Sequence, residues 1–92
     1  MTIRWTPTGS DDLEAIYDYI ARDSPERAHA TMQRIVSEIE TLKRHPLMGR
    51  KGLISGTREL ILAPYIVVYH VTDPVVEIVH IIHSAREWPV SF

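Results

Sequence analysis

The chain has 92 residues, of which 45% are hydrophobic, with a formal net charge of −2 and no cysteine. This size predicts one domain over residues 1–92 with one hydrophobic core. The lack of cysteine excludes disulfides, thiolate zinc sites and a thiol nucleophile. The sequence has no run of 18 apolar residues and no charged-then-apolar leader, so we expect a cytoplasmic protein that does not cross a membrane.

The charges are unevenly distributed along the chain. Residues 1–42 carry four basic and eight acidic side chains, whereas residues 43–92 carry six basic and four acidic ones. A run of five cations has no acidic residue among them: Lys43, Arg44, Arg50, Lys51 and Arg58. Such a patch can attract an anionic partner, although a mixed surface of this size can also produce the run by chance.

A strand and an amphipathic helix are predicted first. Residues 2–6 alternate apolar and polar side chains, which is typical of a short strand. Thr6 is a candidate N-cap in front of Pro7, with Ser10 as a rival, and we expect the helix to end near Asp23. Apolar residues follow at helical spacing: Leu13, Ile16, Tyr17 and Ile20.

A second helix follows after a short connection. Ser24 can cap it, with Pro25 at its first position, and Pro46 should end it. Its apolar residues form one stripe: Ala28, Met32, Ile35, Ile39 and Leu42. Two helices joined by so few residues should lie antiparallel as a hairpin.

The second half of the chain predicts three strands. Residues 46–56 contain three glycines and are interpreted as a loop. Residues 57–62, 65–71 and 75–83 are rich in β-branched and aromatic side chains, and their short connections imply antiparallel hairpins. The predicted fold is therefore a two-layer α+β domain, strand–helix–helix–strand–strand–strand, with the helical hairpin packed on a mostly antiparallel sheet.

The middle strand is apolar on both of its faces. Alternation places Tyr65, Val67, Tyr69 and Val71 on one face and Ile66, Val68 and His70 on the other. A sheet covered by helices on one side only should alternate more clearly, so we expect a partner to cover the second face.

Two arginines beside the strands are the clearest candidates for anion recognition. Arg58 enters the second strand and Arg86 follows the last one, so both should lie at the rims of the sheet's second face. A guanidinium suits a phosphate or carboxylate, but these arginines could instead pair with Glu59, Glu87 or helix carboxylates. Trp88 could contact a partner or fold back on the sheet.

The histidines give only weak signals. His83 could act as a general acid or base near neutral pH, but a half-buried, hydrogen-bonded histidine is the more common situation. His70 and His80 with a carboxylate could in principle bind a metal, yet no spacing rule supports this. We therefore expect neither a metal nor a cofactor.

Four stretches of the sequence resemble the ParE branch of the RelE/ParE toxin superfamily. They are Asp12–Ala21 (DLEAIYDYIA), Gly56–Leu60 (GTREL), Pro64–Tyr69 (PYIVVY) and His83–Pro89 (HSAREWP). The resemblance implies a toxin of a type II toxin–antitoxin module, with the first strand beside the last. It also implies a ParD-like antitoxin as partner and operator DNA contacts made only through that antitoxin.

The resemblance leaves the target open. ParE-like members inhibit DNA gyrase, whereas RelE-like members cut messenger RNA on the ribosome. The nuclease branch usually carries an arginine where this chain has Ile66 and often a tail tyrosine, whereas no tyrosine follows Tyr69 here. Gyrase inhibition without enzymatic activity is therefore the leading interpretation. The alternatives are a ribosome-dependent endoribonuclease and a degenerate toxin that only binds its antitoxin.

These interpretations assign residues to three sets. The target-binding candidates are Lys51, Arg58, Arg86 and Trp88. The antitoxin-binding candidates are Ile66, Val68, His70 and Trp88. The catalytic candidates, should the chain be a nuclease, are Arg58, His83, Arg86 and Glu87.

Overall fold

The computed structural model describes residues 1–84, which form two helices packed on a five-stranded sheet. The elements are β1 (Thr2–Trp5), α1 (Pro7–Ala21), α2 (Pro25–Glu40), a 3-10 turn (Thr41–Lys43), β2 (Arg50–Lys51), β3 (Arg58–Leu62), β4 (Tyr65–Thr72) and β5 (Val75–His83). The strand order is β1-β5-β4-β3-β2, with β1 parallel to β5 and the other pairs antiparallel. The predicted α+β architecture and the position of the first strand beside the last are confirmed. Neither helix is long and apolar enough to cross a membrane.

The interpretation of residues 46–56 as a loop needs one correction. Arg50–Lys51 form a two-residue strand that pairs with the beginning of β3. The connection between Gly52 and Thr57 is a hairpin turn, closed by the Gly52 N–H donating to the Thr57 carbonyl at 2.8 Å. The sequence did not predict this strand, because the three glycines indicate turns and a two-residue strand is too short to show a periodicity.

Both helices begin where capping chemistry predicts. The Thr6 hydroxyl accepts the Gly9 N–H at 2.9 Å, and the Ser24 hydroxyl accepts the Arg27 N–H at 3.1 Å. Each cap is followed by a proline, whose missing N–H costs nothing in the first turn. α2 ends before Pro46, but the 3-10 turn carries its apolar stripe onward and buries Leu42.

The hydrophobic core lies between the helices and one face of the sheet. Ile35 and Ile39 of α2 pack with Val67, Tyr69 and Ile78 of the two longest strands. Tyr17 was predicted on the apolar stripe of α1, but more than a third of its surface is exposed. The core is therefore built mainly from α2 and the sheet, with Leu13 and Ile16 of α1 at its margin.

Side chains of α1 and of its N-cap residue form hydrogen bonds with backbone groups of β5, near the point where the pairing of β5 with β1 ends. The Thr6 hydroxyl donates to the Ile78 carbonyl at 2.9 Å, while Asp12 accepts the Ile81 N–H at 3.0 Å. The same Asp12 oxygen lies 2.6 Å from Nδ1 of His80. The Asp12 contact occupies a backbone N–H that an open strand edge would otherwise leave unpaired, while the Ile78 carbonyl also accepts the Thr6 N–H at 3.1 Å.

Candidate functional site

A buried tyrosine organises the segment that leads into β2. Tyr69 has no exposed surface, and its hydroxyl donates to the Pro46 carbonyl at 2.8 Å and accepts the Gly49 N–H at 2.9 Å. A Cβ on Gly49 would lie 2.7 Å from the tyrosine oxygen, so a side chain does not fit there. Burial raises the pKa of Tyr69 above 10.0, and the bond from Gly49 and the charge of Arg58 oppose this rise. The strand and the loop are thus joined at one hydroxyl.

Arg58 is held by the same segment. Its guanidinium donates to the Gly49 carbonyl at 2.8 Å and more weakly to the Leu47 carbonyl at 3.4 Å. Arg58 is paired in register with Tyr69, so it lies on the helix-facing side of the sheet. The expectation that Arg58 borders the opposite face is therefore wrong, because the β3–β4 register places it with the core-facing residues.

The internal ion pair at this edge involves a different arginine. Arg50 contacts the Glu59 carboxylate at 2.8 and 3.0 Å, and the Leu53 N–H donates to the same carboxylate at 3.2 Å. Glu59 is only 2% exposed, so its charge needs these partners. Arg58 cannot pair with Glu59 because neighbouring strand residues point to opposite faces.

A groove opens at the β2–β3 edge beside these contacts. It encloses about 410 Å³, and its lining includes Leu47, Lys51, the turn over residues 55–57, Arg58 and Val71. Lys51 is exposed and is the register partner of Arg58. Within residues 1–84, no carboxylate lies within ion-pair distance of Lys51. Two predicted target-binding cations therefore meet at one groove.

The outer face of the sheet carries the predicted antitoxin contacts. Ile66 stands in register between Ile61 and Ile82, and Ile61 is 47% exposed, so one row of this face is apolar and accessible. Val68 is fully buried, so its side chain offers no surface in the isolated chain. His70 is half-buried.

His70 belongs to a polar row on the same face. Its Nε2 lies 3.7 Å from the Glu77 carboxylate, which also accepts the Nε–H of Arg4 at 3.0 Å. The bond from Arg4 holds the pKa of Glu77 below its usual range. Nδ1 of His70 is buried and has no hydrogen-bond partner in the described part of the chain, residues 1–84. The outer face is therefore an isoleucine row beside a charged row, and is less uniformly apolar than the sequence predicts.

The structure does not bring the predicted catalytic residues together within its described part. His83 packs edge-on against Tyr65, with ring centroids 5.7 Å apart, at the far end of the sheet from Arg58. The two backbones are four residues and two strands apart, a separation of about 16 Å. Arg86, Glu87 and Trp88 lie outside the described residues. Among residues 1–84, no three histidine or carboxylate side chains cluster as metal ligands would.

Sequence reasoning missed the Tyr69–Gly49 contact and the exposed apolar side chains of the loop. Leu47, Met48, Leu53 and Ile54 are all exposed. The signal that could have revealed the loop is the Pro46–Gly49 sequence before a basic pair, because a glycine there permits close approach to a neighbouring side chain. The side chain it approaches is 20 residues away, so no local pattern identifies it.

Comparison with known proteins places this geometry in a family. The family described as "ParE toxin of type II toxin-antitoxin system, parDE" matches residues 3–88. A Sinorhizobium fredii protein named "Putative toxin Y4kP" is 39% identical over 95% of this chain and 92% of its own length. "Toxin RelE2" of Caulobacter vibrioides is 35% identical over 89% of this chain and 93% of its own.

Solved structures agree with these sequence matches. A chain of the chromosomal ParDE toxin–antitoxin system from P. aeruginosa superposes with a TM-score of 0.80 and 31% identity, covering 90% of this chain and 95% of that one. A chain of the Mycobacterium tuberculosis toxin–antitoxin complex RelBE2 has a TM-score of 0.58 and 24% identity, covering 89% and 95%, and shows a shared fold. The chain described here belongs to the ParE toxin family of type II toxin–antitoxin systems, within the RelE/ParE superfamily.

Proposed function

We propose that this toxin inhibits DNA gyrase and is neutralised by a ParD-like antitoxin. The observation that carries the proposal is the ParE family match over residues 3–88, supported by the P. aeruginosa ParDE similarity at a TM-score of 0.80. The toxin would act in the bacterial cytoplasm, where gyrase lies, and would contact operator DNA only through the antitoxin.

The arrangement of the basic residues favours a binding toxin over a nuclease. Cleavage of a phosphodiester requires a base, an acid and a charge-stabilising group that converge on one phosphate. Arg58 is held on backbone carbonyls about 16 Å from His83 at the backbone level, and Ile66 stands where the nuclease branch usually has arginine. An inhibitor that works by occupying gyrase needs no such convergence.

Ribosome-dependent RNA cleavage is the second candidate. The similarity to RelE2 of C. vibrioides, at 35% identity over 82 residues, is the observation that supports it. Arg86 and Glu87 would have to complete a catalytic set with Arg58 or His83 in that case.

The outer face of the sheet suits an antitoxin. The row formed by Ile61, Ile66 and Ile82 offers apolar contact area, and His70 and Glu77 beside it offer polar contacts. An amphipathic helix or strand could cover both rows at once. Val68 lies on the same face but is fully buried, so it would add little contact area, and Trp88 remains a proposed contact.

Two assays on the purified toxin separate the candidate functions. A gyrase inhibitor should stop supercoiling of relaxed plasmid by purified gyrase with no ribosome present. A nuclease should leave supercoiling unchanged and cut translated messenger at codons in the ribosomal A site, detected by primer extension. If neither effect is seen while the antitoxin still binds tightly, the chain is a degenerate toxin, and the gyrase proposal is wrong.

A further inference from the structure

The groove at the β2–β3 edge places two like charges directly opposite each other. Lys51 and Arg58 are register partners on adjacent antiparallel strands. Like charges in this relation destabilise a sheet, whereas opposite charges stabilise it. Arg58 offsets its charge with the Gly49 and Leu47 carbonyls, but Lys51 has no ion-pair partner within residues 1–84. Among the residues that the structure describes, the groove thus carries an unneutralised positive charge at its rim.

The groove combines a largely polar and basic lining with two apolar side chains, and hydrogen bonds hold the segments around it. The apolar side chains in the lining are Leu47, which is 63% exposed, and Val71. The turn opposite them is held by the Thr57 N–H donating to the Ile54 carbonyl at 3.1 Å, with Gly56 at φ +83°. Arg58 and Tyr69 hold the Leu47 side through the Gly49 backbone. Little ordering would be needed when a partner enters.

We propose that this groove receives a carboxylate side chain of gyrase itself, with Lys51 pairing with the carboxylate and Leu47 contacting an apolar neighbour. The inference rests on the proposed function and names the contact through which it operates. In this arrangement Arg58 is a positioning residue that holds the loop and adds positive potential, while Lys51 makes the direct contact. A protein carboxylate is favoured over a DNA phosphate because Leu47, an exposed apolar side chain in the same lining as the cations, has no use on a phosphate backbone.

The test compares charge variants of Lys51 in binding and inhibition. Binding of the toxin to purified gyrase without DNA is measured by biolayer interferometry, and inhibition by the supercoiling assay. Lys51→Glu should weaken both by at least about tenfold, and Lys51→Gln by less, whereas Lys51→Arg should stay within about threefold of the wild type. The matched control is Arg22→Glu, the same charge change at an exposed position at the end of α1.

The outcomes distinguish this inference from the proposed function. If the wild type does not inhibit gyrase, the proposed function fails and the inference fails with it. If the wild type inhibits and Lys51→Glu inhibits equally well, or if Arg22→Glu is equally damaged, only the groove contact is wrong. The inference would be overturned if the toxin bound gyrase only in the presence of DNA and if Lys51→Glu no longer bound a plain DNA duplex. That result would assign the groove to a phosphate. Because Lys51 is exposed, no Lys51 variant should melt below the wild type, and Lys51→Glu, which places an opposite charge across from Arg58, should melt slightly higher.

Discussion

Replacing Tyr69 by phenylalanine tests whether one hydroxyl holds the loop before β2. The substitution keeps the buried ring and removes only the oxygen that donates to the Pro46 carbonyl and accepts the Gly49 N–H. Tyr65→Phe is the matched control, because that hydroxyl makes no hydrogen bond within residues 1–84 and the side chain is only half-buried.

The expected loss follows from the two groups left behind. The Gly49 N–H is in a buried setting and loses its acceptor, and the Pro46 carbonyl loses its donor. Unpaired buried groups of this kind cost about 1–3 kcal/mol each, but a loop can move to let water replace part of the bonding. We therefore expect Tyr69→Phe to lower the free energy of unfolding by about 2 kcal/mol and the Tm by about 8–16 °C, because 1 kcal/mol shifts the Tm of a domain this small by about 4–8 °C.

Urea unfolding and thermal melting at pH 7 give these values, and a pH series adds a second readout. The fold raises the pKa of Tyr69 above 10.0, so above that pH the unfolded chain releases a proton that the folded protein retains. This part of the stability is present below pH 10 and is lost as the pH rises through the folded pKa. Tyr69→Phe should lack that alkaline loss. Equal stability of the two phenylalanine variants, or an unchanged alkaline limb in Tyr69→Phe, would refute the role of the hydroxyl.

Two further predictions concern the other end of the sheet. Thr6→Ala should cost about 1–2 kcal/mol in urea unfolding, since it removes both the cap of α1 and the bond to β5, whereas exposed Thr8→Ala should cost far less. Equal losses in the two variants would contradict the capping role. Arg4 lowers the pKa of Glu77 below 4.5. The Glu77 carboxylate therefore stabilises the fold above pH 4.5, and this stabilisation is lost as the pH falls through the folded pKa. Glu77→Gln should accordingly show a smaller loss of stability in acid than the wild type. Acid titrations followed by circular dichroism that coincide for wild type and Glu77→Gln would show that this pair does not affect folding.

Local patterns were sufficient for the helices and the three long strands. Thr6–Pro7 and Ser24–Pro25 mark the helix starts because capping and the fixed φ of proline depend only on neighbouring residues. Apolar alternation located β3, β4 and β5 to within about one residue, since side-chain period is a local property of the backbone. The resemblance over four short stretches predicted the family, which the family match confirms. It also predicted that the first strand lies beside the last, which the pairing of β1 with β5 confirms.

The site depended on contacts that no local pattern contains. Register decided that Arg58 lies with Tyr69 on the helix side and that Arg50, instead, pairs with Glu59. A shift of one residue in register would exchange the two faces, and the sequence of a single strand does not fix that choice. The sequence by itself thus determined the two helices, their order relative to the first strand and the three long strands, and the run of cations, but it did not reveal β2. Only the tertiary structure decided which cation holds the loop and which is presented to a partner, because that depends on strands folding back across 20 residues of chain to share one hydroxyl.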